Sequence, residues 1–529
     1  EKKTVLTVSY AGMSIFLFAE VLGNIFGFGF HMGDNGVAST GFNMYGLSYL
    51  FFVGVVFYLL MRYRDRMIPQ IIRGIALVFM LCILMFIIQG VHSQSSYSSV
   101  IFLMPVVGIM YMLHSNPFNI TTGAVGEESF LPAVAEAVRK KERFTLMYLD
   151  MLQTNIQHAF TQQMRFEIYS FYRGSVKKPV LFHVGANQLI LMFKEKDNPD
   201  PKAGVRDVVA RFDELHERFG LDFKAIMMED NEEINRHNSY IEFLSFVEGR
   251  AKVNEYYYVG EEDIDKYNDQ CKVLDELKDI AEKKDPDDAR VLVYCQPVYN
   301  VDEGIYDTAE ALMRLELEEF GIVSPAIFIP LAEKYNLIHE LSLIILNKVC
   351  KAVSLFISEG LRLKRISVNF SMQEVREPEF CGSIIDIIKK NGIPYEKIAI
   401  EITESRNERD FEMVKGKIEE LRDYGIKFYL DDFGTGYSNF ERIMELPFDI
   451  IKFDRSMVIE SGKSEASTYM VYTFASMFRE MDYRVLYEGI ESDGDEERCI
   501  NMWAQYLQGF KYSKPIPIES LRDFLKEGA

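Results

Sequence analysis

The chain has 529 residues, 48% hydrophobic and 26% charged, with a formal net charge of −21 and six cysteines. Such a length predicts two or three separately packed units, and the acidic balance excludes a nonspecific grip on nucleic acid polymers, which needs a basic surface. Cys82, Cys271, Cys295, Cys350, Cys381 and Cys499 show no CxxC or Cys/His spacing, which argues against zinc and against disulfides.

Residues 1–115 are dominated by four apolar runs, Val5–Phe30, Phe42–Met61, Gly74–Val91 and Ser95–Leu113. They read as about four transmembrane helices, the last kinked at Pro105. Lys2 and Lys3 precede the first run, and Arg62, Arg64, Arg66 and Arg73 lie around the connection of the second to the third. The other two connections, 31–41 and 92–94, carry no Lys or Arg. Cationic residues collect on the cytoplasmic side of short loops, so both termini are expected inside. Three further runs argue against a cleaved signal peptide, and the opening on Glu1 makes four spans a lower limit. Glu20, within the first run, is either functional or interfacial.

Residues 116–127 are rich in turn formers and read as a linker. A helix Glu128–Lys141 follows, then a strand Phe144–Leu149 ending at Asp150. Val180–Val184 and Leu189–Phe193 form a hairpin about Gly185–Gln188, before a helix Gly204–Phe219 and a strand Phe223–Met228. This α+β order over 128–260 resembles a GGDEF diguanylate cyclase domain. The family's signature turn falls on Gly185-Ala186-Asn187-Gln188-Leu189, with amides in place of the acidic pair. Asp150 remains at the metal-binding strand end, but Leu152 and Asn155 replace an Asp and a Lys. Amides and Leu cannot supply the charge that holds two magnesium ions and a triphosphate, so a degenerate domain without cyclase activity is expected. A linker helix over 261–286 comes next, with Ile264, Tyr267, Cys271, Leu274, Leu277 and Ala281 near three-four spacing and Asp285-Pro286 ending it.

From Val291 short β-branched runs alternate with amphipathic ones, which predicts an α/β fold. The strands are Val291–Val298, Arg365–Phe370, Ile398–Ile402, Lys427–Leu430, Ile450–Phe453, Arg484–Tyr487 and Gln505–Gln508. The helices are Ala326–Ser358, Glu379–Lys390, Asn407–Tyr424 and Ser464–Met481. Asn369, Glu401, Glu404, Asp431, Asp432, Lys452, Asp454, Glu488, Glu491 and Gln508 fall at or just past the strand ends. A (β/α)8 barrel gathers such positions on its C-terminal face. A ring of carboxylates is costly without counter-charge, and hard divalent cations choose oxygen ligands, so one or two Mg²⁺ or Mn²⁺ ions are predicted. Two such ions suit hydrolysis of a phosphodiester. For Asp454, Glu491 and Gln508 a purely structural strand-end role stays open.

The motifs then become specific. Gln296-Pro297, Glu310-Ala311-Leu312 with Arg314, Asn369-Phe370-Ser371, Glu401-Ile-Thr-Glu404 and Asp431-Asp432-Phe433-Gly434-Thr435-Gly436-Tyr437-Ser438 come first. Ile451-Lys452-Phe453-Asp454, Glu488-Gly489-Ile490-Glu491 and Gln508-Gly509 follow. Together they run in the order of EAL-type cyclic-di-GMP phosphodiesterases, which residues 287–529 resemble. The resemblance implies a (β/α)8-like EAL barrel that converts cyclic di-GMP to linear pGpG with two Mg²⁺ or Mn²⁺ ions. One ion would be held by Glu310, Asn369, Glu401 and Asp431, the other by Asp431 as a bridge with Asp432 and, through water, Glu488. Lys452 would orient or deprotonate the attacking water, and Glu488 and Glu404 complete the catalytic set, Glu404 by fixing the loop Asp431–Ser438. Gln296, Glu310, Leu312, Arg314, Asp432 and Gln508 would meet the substrate, Arg314 at a phosphate. It further implies a multi-pass protein of the bacterial inner (cytoplasmic) membrane with its soluble domains in the cytoplasm, working as a homodimer. The alternative is a silent cyclic-di-GMP receptor or scaffold, a class that usually lacks a metal ligand or the loop glutamate.

Overall fold

The computed structural model describes residues 2–26, 30–32, 38–40, 44–62, 69–92, 103, 106, 110, 124–152, 179–185, 187–195, 205, 206, 208–210, 213, 214, 216, 217, 220, 222–237, 240–403, 411–435 and 445–527. The chain divides into two compact units, Glu1–Tyr267 and Asn268–Ala529.

In the first unit, helices Lys2–Ile25, Met44–Arg62 and Pro69–His92 form on the first three apolar runs. A short hairpin of β1 (Phe30–Met32) and β2 (Ala38–Thr40) joins the first two. The fourth run lies outside the described residues except at positions 103, 106 and 110. Among the described residues one helix is long and apolar enough to cross a membrane, Ile338–Ser358, and it belongs to the core of the second unit, where Leu341, Ile345, Val349 and Val353 are buried. Thr7–Gly23 and Arg73–Met85 are shorter apolar helical stretches.

A six-stranded sheet follows, built from β3 (Val125–Gly126), β4 (Phe144–Leu152), β5 (Val180–His183), β6 (Gln188–Lys194), β7 (Asp222–Glu229) and β8 (Tyr256–Tyr258), in the order β3-β5-β6-β4-β7-β8. β5 and β6 make the predicted hairpin, with β4 antiparallel to both β6 and β7. Both sheet faces are covered. Met147, Leu149, Leu191, Phe193 and Ala225 pack on one side, while Leu146, Ile190, Met192 and Ile226, alternating with them, are buried on the other. The described positions of the predicted helix 204–219 are helical. The linker helix is observed as Glu261–Lys283, and the division between the units falls inside it.

The second unit is a closed barrel. Its strands are β9 (Val291–Asn300), β10 (Ile305–Leu317), β11 (Gly321–Val323), β12 (Arg365–Asn369), β13 (Ile398–Thr403), β14 (Lys427–Phe433), β15 (Ile450–Phe453), β16 (Arg484–Tyr487), β17 (Tyr506–Leu507) and β18 (Ile516–Pro517). The order β10-β12-β13-β14-β15-β16-β17-β9 closes through β9–β10, and β11 and β18 are additions at the rim. From β10 to β17 the neighbours are parallel, whereas β9 is antiparallel to both β10 and β17. The cause is local: only Val301–Gly304 separates β9 from β10, too little chain for a crossover helix, so the two must form a hairpin.

The predicted strands agree with the observed ones to within a few residues, but β10 is an addition. Its sequence Ala-Glu-Ala-Leu-Met-Arg-Leu-Glu-Leu consists of helix formers. The long ladder to β9, from Ile305↔Asn300 to Leu315↔Val291, overrides that propensity. The predicted helix Ala326–Ser358 is two helices, Pro325–Lys334 and Ile338–Ser358, broken where Asn336 takes φ 57°.

Candidate active site

The middle of the barrel is filled by Val298, Ala399, Tyr429, Ile450, Leu486 and Tyr506, all buried together. Side chains alternate along a strand, so the next inward position lies two residues on, or two back on antiparallel β9. That step reaches Gln296, Glu401, Asp431, Lys452, Glu488 and Gln508, and Glu310 and Asn369 complete the layer from β10 and β12. Each barrel strand thus gives one polar residue to a ring above an apolar floor. The floor also fixes the register, because a one-residue slip would turn the ring outward.

Lys452 stands at the centre, 1% exposed. Its Nζ lies 2.6 Å from Glu401 Oε2, 2.7 Å from Glu488 Oε1, 2.9 Å from Asp431 Oδ1 and 3.3 Å from Glu310 Oε2. Burial works against its charge, but Asp431, Glu310, Glu401 and Glu488 together hold its pKa well above the usual lysine value. The carboxylates respond unequally. Glu401 is pushed well up by burial and by Glu310, and Glu488 is pushed up to about 8, first by burial. Glu310, although equally buried, is drawn down by Lys452 and by the amides around it. Its Oε1 accepts from Asn369 Nδ2 at 2.8 Å and its Oε2 from Gln508 Nε2 at 2.7 Å. Gln508 Nε2 also donates to Gln296 Oε1 at 3.2 Å, and Gln296 Nε2 donates to the Ser513 carbonyl at 3.0 Å.

The donor set fits a hard divalent cation. Carboxylate oxygens of Asp431, Asp432 and Glu488 come within 4.8 Å of one another. Asp431 Oδ1 is buried and lies 2.9 Å from the Lys452 ammonium, an anionic oxygen of the kind a hard cation takes. Asp432 holds φ 56°, a left-handed conformation that is costly without glycine, and burial beside Asp431 raises its pKa.

Most predicted site residues therefore meet in one ring, and the remainder are placed as follows. Arg314 donates from Nη1 to the Met313 carbonyl at 2.8 Å and lies 5.4 Å above the Tyr294 ring. Leu312 is half-buried opposite Tyr294 in the β9–β10 ladder. Glu404 lies outside the described residues, as does the loop from Gly436 onward. Asp454 caps the helix Arg455–Ser461, accepting from Ser456 N at 2.8 Å, and Glu491 pairs with Arg455 at 2.6 Å, so both perform structural work here. Glu374 escaped the sequence reading. Buried in the short helix Met372–Val375 that follows β12, it closes a capping box in which Ser371 N donates to Glu374 Oε2 at 2.8 Å. The pattern Ser371-x-x-Glu374 was the available signal.

In the first unit Asp150 pairs with Gln188 across the β4–β6 ladder, near its predicted place. Its carboxyl is pushed up to about 7 by burial and by Glu248, whose Oε2 also accepts from the Tyr148 hydroxyl at 2.6 Å. A carboxyl with a raised folded pKa keeps a proton that the unfolded chain sheds near pH 4, so stability declines as pH rises from there to about 7 and is level beyond. Asp150→Asn should remove that decline: the variant melts above the parent at about pH 8 and together with it near pH 4. Thermal denaturation across that range checks this, and a difference independent of pH would contradict it.

Residues 283–515 match the family description EAL domain. This stretch is an EAL domain. Around it, the chain is 23% identical over 429 residues to the bifunctional diguanylate cyclase/cyclic di-GMP phosphodiesterase MucR of Pseudomonas aeruginosa, covering 78% of this chain and 62% of MucR. It is 33% identical over 239 residues to the cyclic di-GMP phosphodiesterase PA2567 of the same organism, covering 44% of this chain and 40% of that relative. The chain thus spans less than two thirds of either relative. Among solved structures, the PaMucR phosphodiesterase in its c-di-GMP complex aligns at 27% identity and a TM-score of 0.44, covering 47% of this chain and 99% of that one. Within the EAL domain, the ring of Gln296, Glu310, Asn369, Glu401, Asp431, Lys452, Glu488 and Gln508 sets four carboxylates around one buried ammonium.

Proposed function

We propose that the EAL domain hydrolyses one phosphodiester bond of cyclic di-GMP, giving linear pGpG, with two divalent cations, Mg²⁺ or Mn²⁺, held by the ring. The observation that carries this reading is the meeting of Asp431, Asp432 and Glu488 oxygens within 4.8 Å of one another on an EAL barrel. Glu310, Asn369, Glu401 and Asp431 would hold one cation, and Asp431, Asp432 and Glu488 the other. When bound, such ions supply Lewis acidity at the phosphate and lower the pKa of water.

The chain's own groups do the rest. Lys452, as an ammonium, has no lone pair with which to take a proton, so it orients water and steadies negative charge rather than acting as the base. Glu488, reaching its cation through water, would take the proton which that water gives up. Gln508 and Asn369 hold Glu310 in place through its two oxygens. Arg314, supported on Tyr294, would meet a substrate phosphate, with Leu312 two residues before it on β10 and Gln296 opposite Glu310 as further substrate contacts. Glu404 would fix the loop Asp431–Ser438, as the EAL motif implies.

The upstream sheet is read as a degenerate GGDEF-like domain over 128–260 that makes no cyclic di-GMP. The MucR match, longer than the EAL domain alone, supports a shared organisation there. The helices of residues 1–115 are read as a membrane anchor, supported by their apolar composition and by the placement of Lys and Arg, with the soluble domains in the cytoplasm, and the protein is read as a homodimer. The test is incubation of the full chain with cyclic di-GMP and Mn²⁺. Linear pGpG is expected, and tight binding with no product would replace the enzyme with a receptor.

A further inference from the structure

We propose that Lys452 is a built-in counter-ion that keeps the barrel folded when no metal is bound and that competes with incoming metal for Asp431 and Glu488, thereby setting the site's metal affinity. The inference rests on the reading that the ring takes divalent cations.

One ammonium serves four carboxylates drawn from four different strands: Glu310 of β10, Glu401 of β13, Asp431 of β14 and Glu488 just past β16. Glu310 and Glu401 are 6% and 1% exposed, and charges so far from water repel strongly unless compensated. Among the described residues Lys452 is the one cation within salt-bridge distance of these four, so the closure of the barrel at this level depends on it. Arg314, four residues after Glu310 on β10, is instead placed against Tyr294 and the Met313 carbonyl.

The same geometry creates competition. Two of the three residues whose oxygens cluster for a cation, Asp431 and Glu488, already contact Lys452 Nζ at 2.9 and 2.7 Å. A divalent ion among them must share those oxygens with the ammonium or displace it. Removing the ammonium therefore has two opposite effects: it weakens the metal-free fold and strengthens the hold on metal.

The experiment uses the full chain and reads melting temperature and Mn²⁺ binding, neither of which requires turnover. In chelator, Lys452→Met should melt about 10 °C below the parent. Adding Mn²⁺ should raise the variant more than the parent, with Mn²⁺ binding at least about tenfold tighter. A double variant, Glu310→Gln with Lys452→Met, removes one charge of each sign. It should recover part of the loss, so that the two substitutions are non-additive. The proposal is overturned if chelated Lys452→Met melts with the parent, if the double variant is as unstable as the sum of the singles, or if Mn²⁺ shifts and binds both proteins equally. Should Mn²⁺ bind neither protein, the metal reading of the ring and the competition both fail, while the chelator and double-variant arms still decide whether Lys452 holds the fold.

Discussion

Glu310→Gln should lower cyclic-di-GMP turnover by more than about a hundredfold while costing only a few degrees of melting temperature. The substitution keeps the side chain's size and one carbonyl oxygen. It removes the charge that the proposed first cation needs, and it turns an amide nitrogen toward Asn369 Nδ2 or Gln508 Nε2, both of which already donate to this residue. Three carboxylates still surround Lys452, at 2.6, 2.7 and 2.9 Å, so the buried ammonium is not stranded. Loss of activity without loss of the fold separates a functional carboxylate from a structural one. Steady-state turnover beside a thermal melt checks it, and parental activity would remove Glu310 from the machinery.

Gly509→Ala should have the opposite profile, with stability lost first. A Cβ at position 509 would stand 2.1 Å from the Ile490 carbonyl oxygen and 2.2 Å from its nitrogen. Both are backbone atoms fixed in a ladder, since Ile490 N donates to the Gln508 carbonyl at 3.0 Å and Lys511 N to the Ile490 carbonyl at 3.0 Å. No rotamer can relieve the clash, so the chain after β17 must pull away from the chain after β16, at a cost of about 3 kcal/mol or more. Gln508 moves with it and releases Glu310, so activity should fall as well. Gly489→Ala is the informative control. Its added carbon meets the Arg455 side chain, which can move, and the residual cost is that of φ 68°. Denaturant melts of the two variants compare them directly, and parental stability for Gly509→Ala would contradict the close approach.

The sequence reveals the barrel's parallel strands because each is a short β-branched run between amphipathic helices; Ile450–Phe453 and Arg484–Tyr487 appear with the predicted bounds. It conceals β10, whose Ala, Leu, Glu and Met residues favour a helix until β9 pairs with them. The antiparallel direction of β9 is written in the four-residue gap Val301–Gly304, too short for a crossover helix. At the site, residue types and order point to the carboxylates, but not to Lys452 touching four of them. That fact depends on strands far apart in sequence and emerges only when the barrel closes. The split between Asp454 or Glu491 and the ring is likewise tertiary: both stand at strand ends, yet one caps a helix and the other pairs with Arg455.

The most direct test of the central claim is the rate of pGpG formation from cyclic di-GMP by the full chain as Mn²⁺ is titrated into chelated protein. A rate that starts at zero and saturates with Mn²⁺ is the predicted result. A rate unchanged by chelator, or bound cyclic di-GMP that stays intact at every Mn²⁺ concentration, would contradict it.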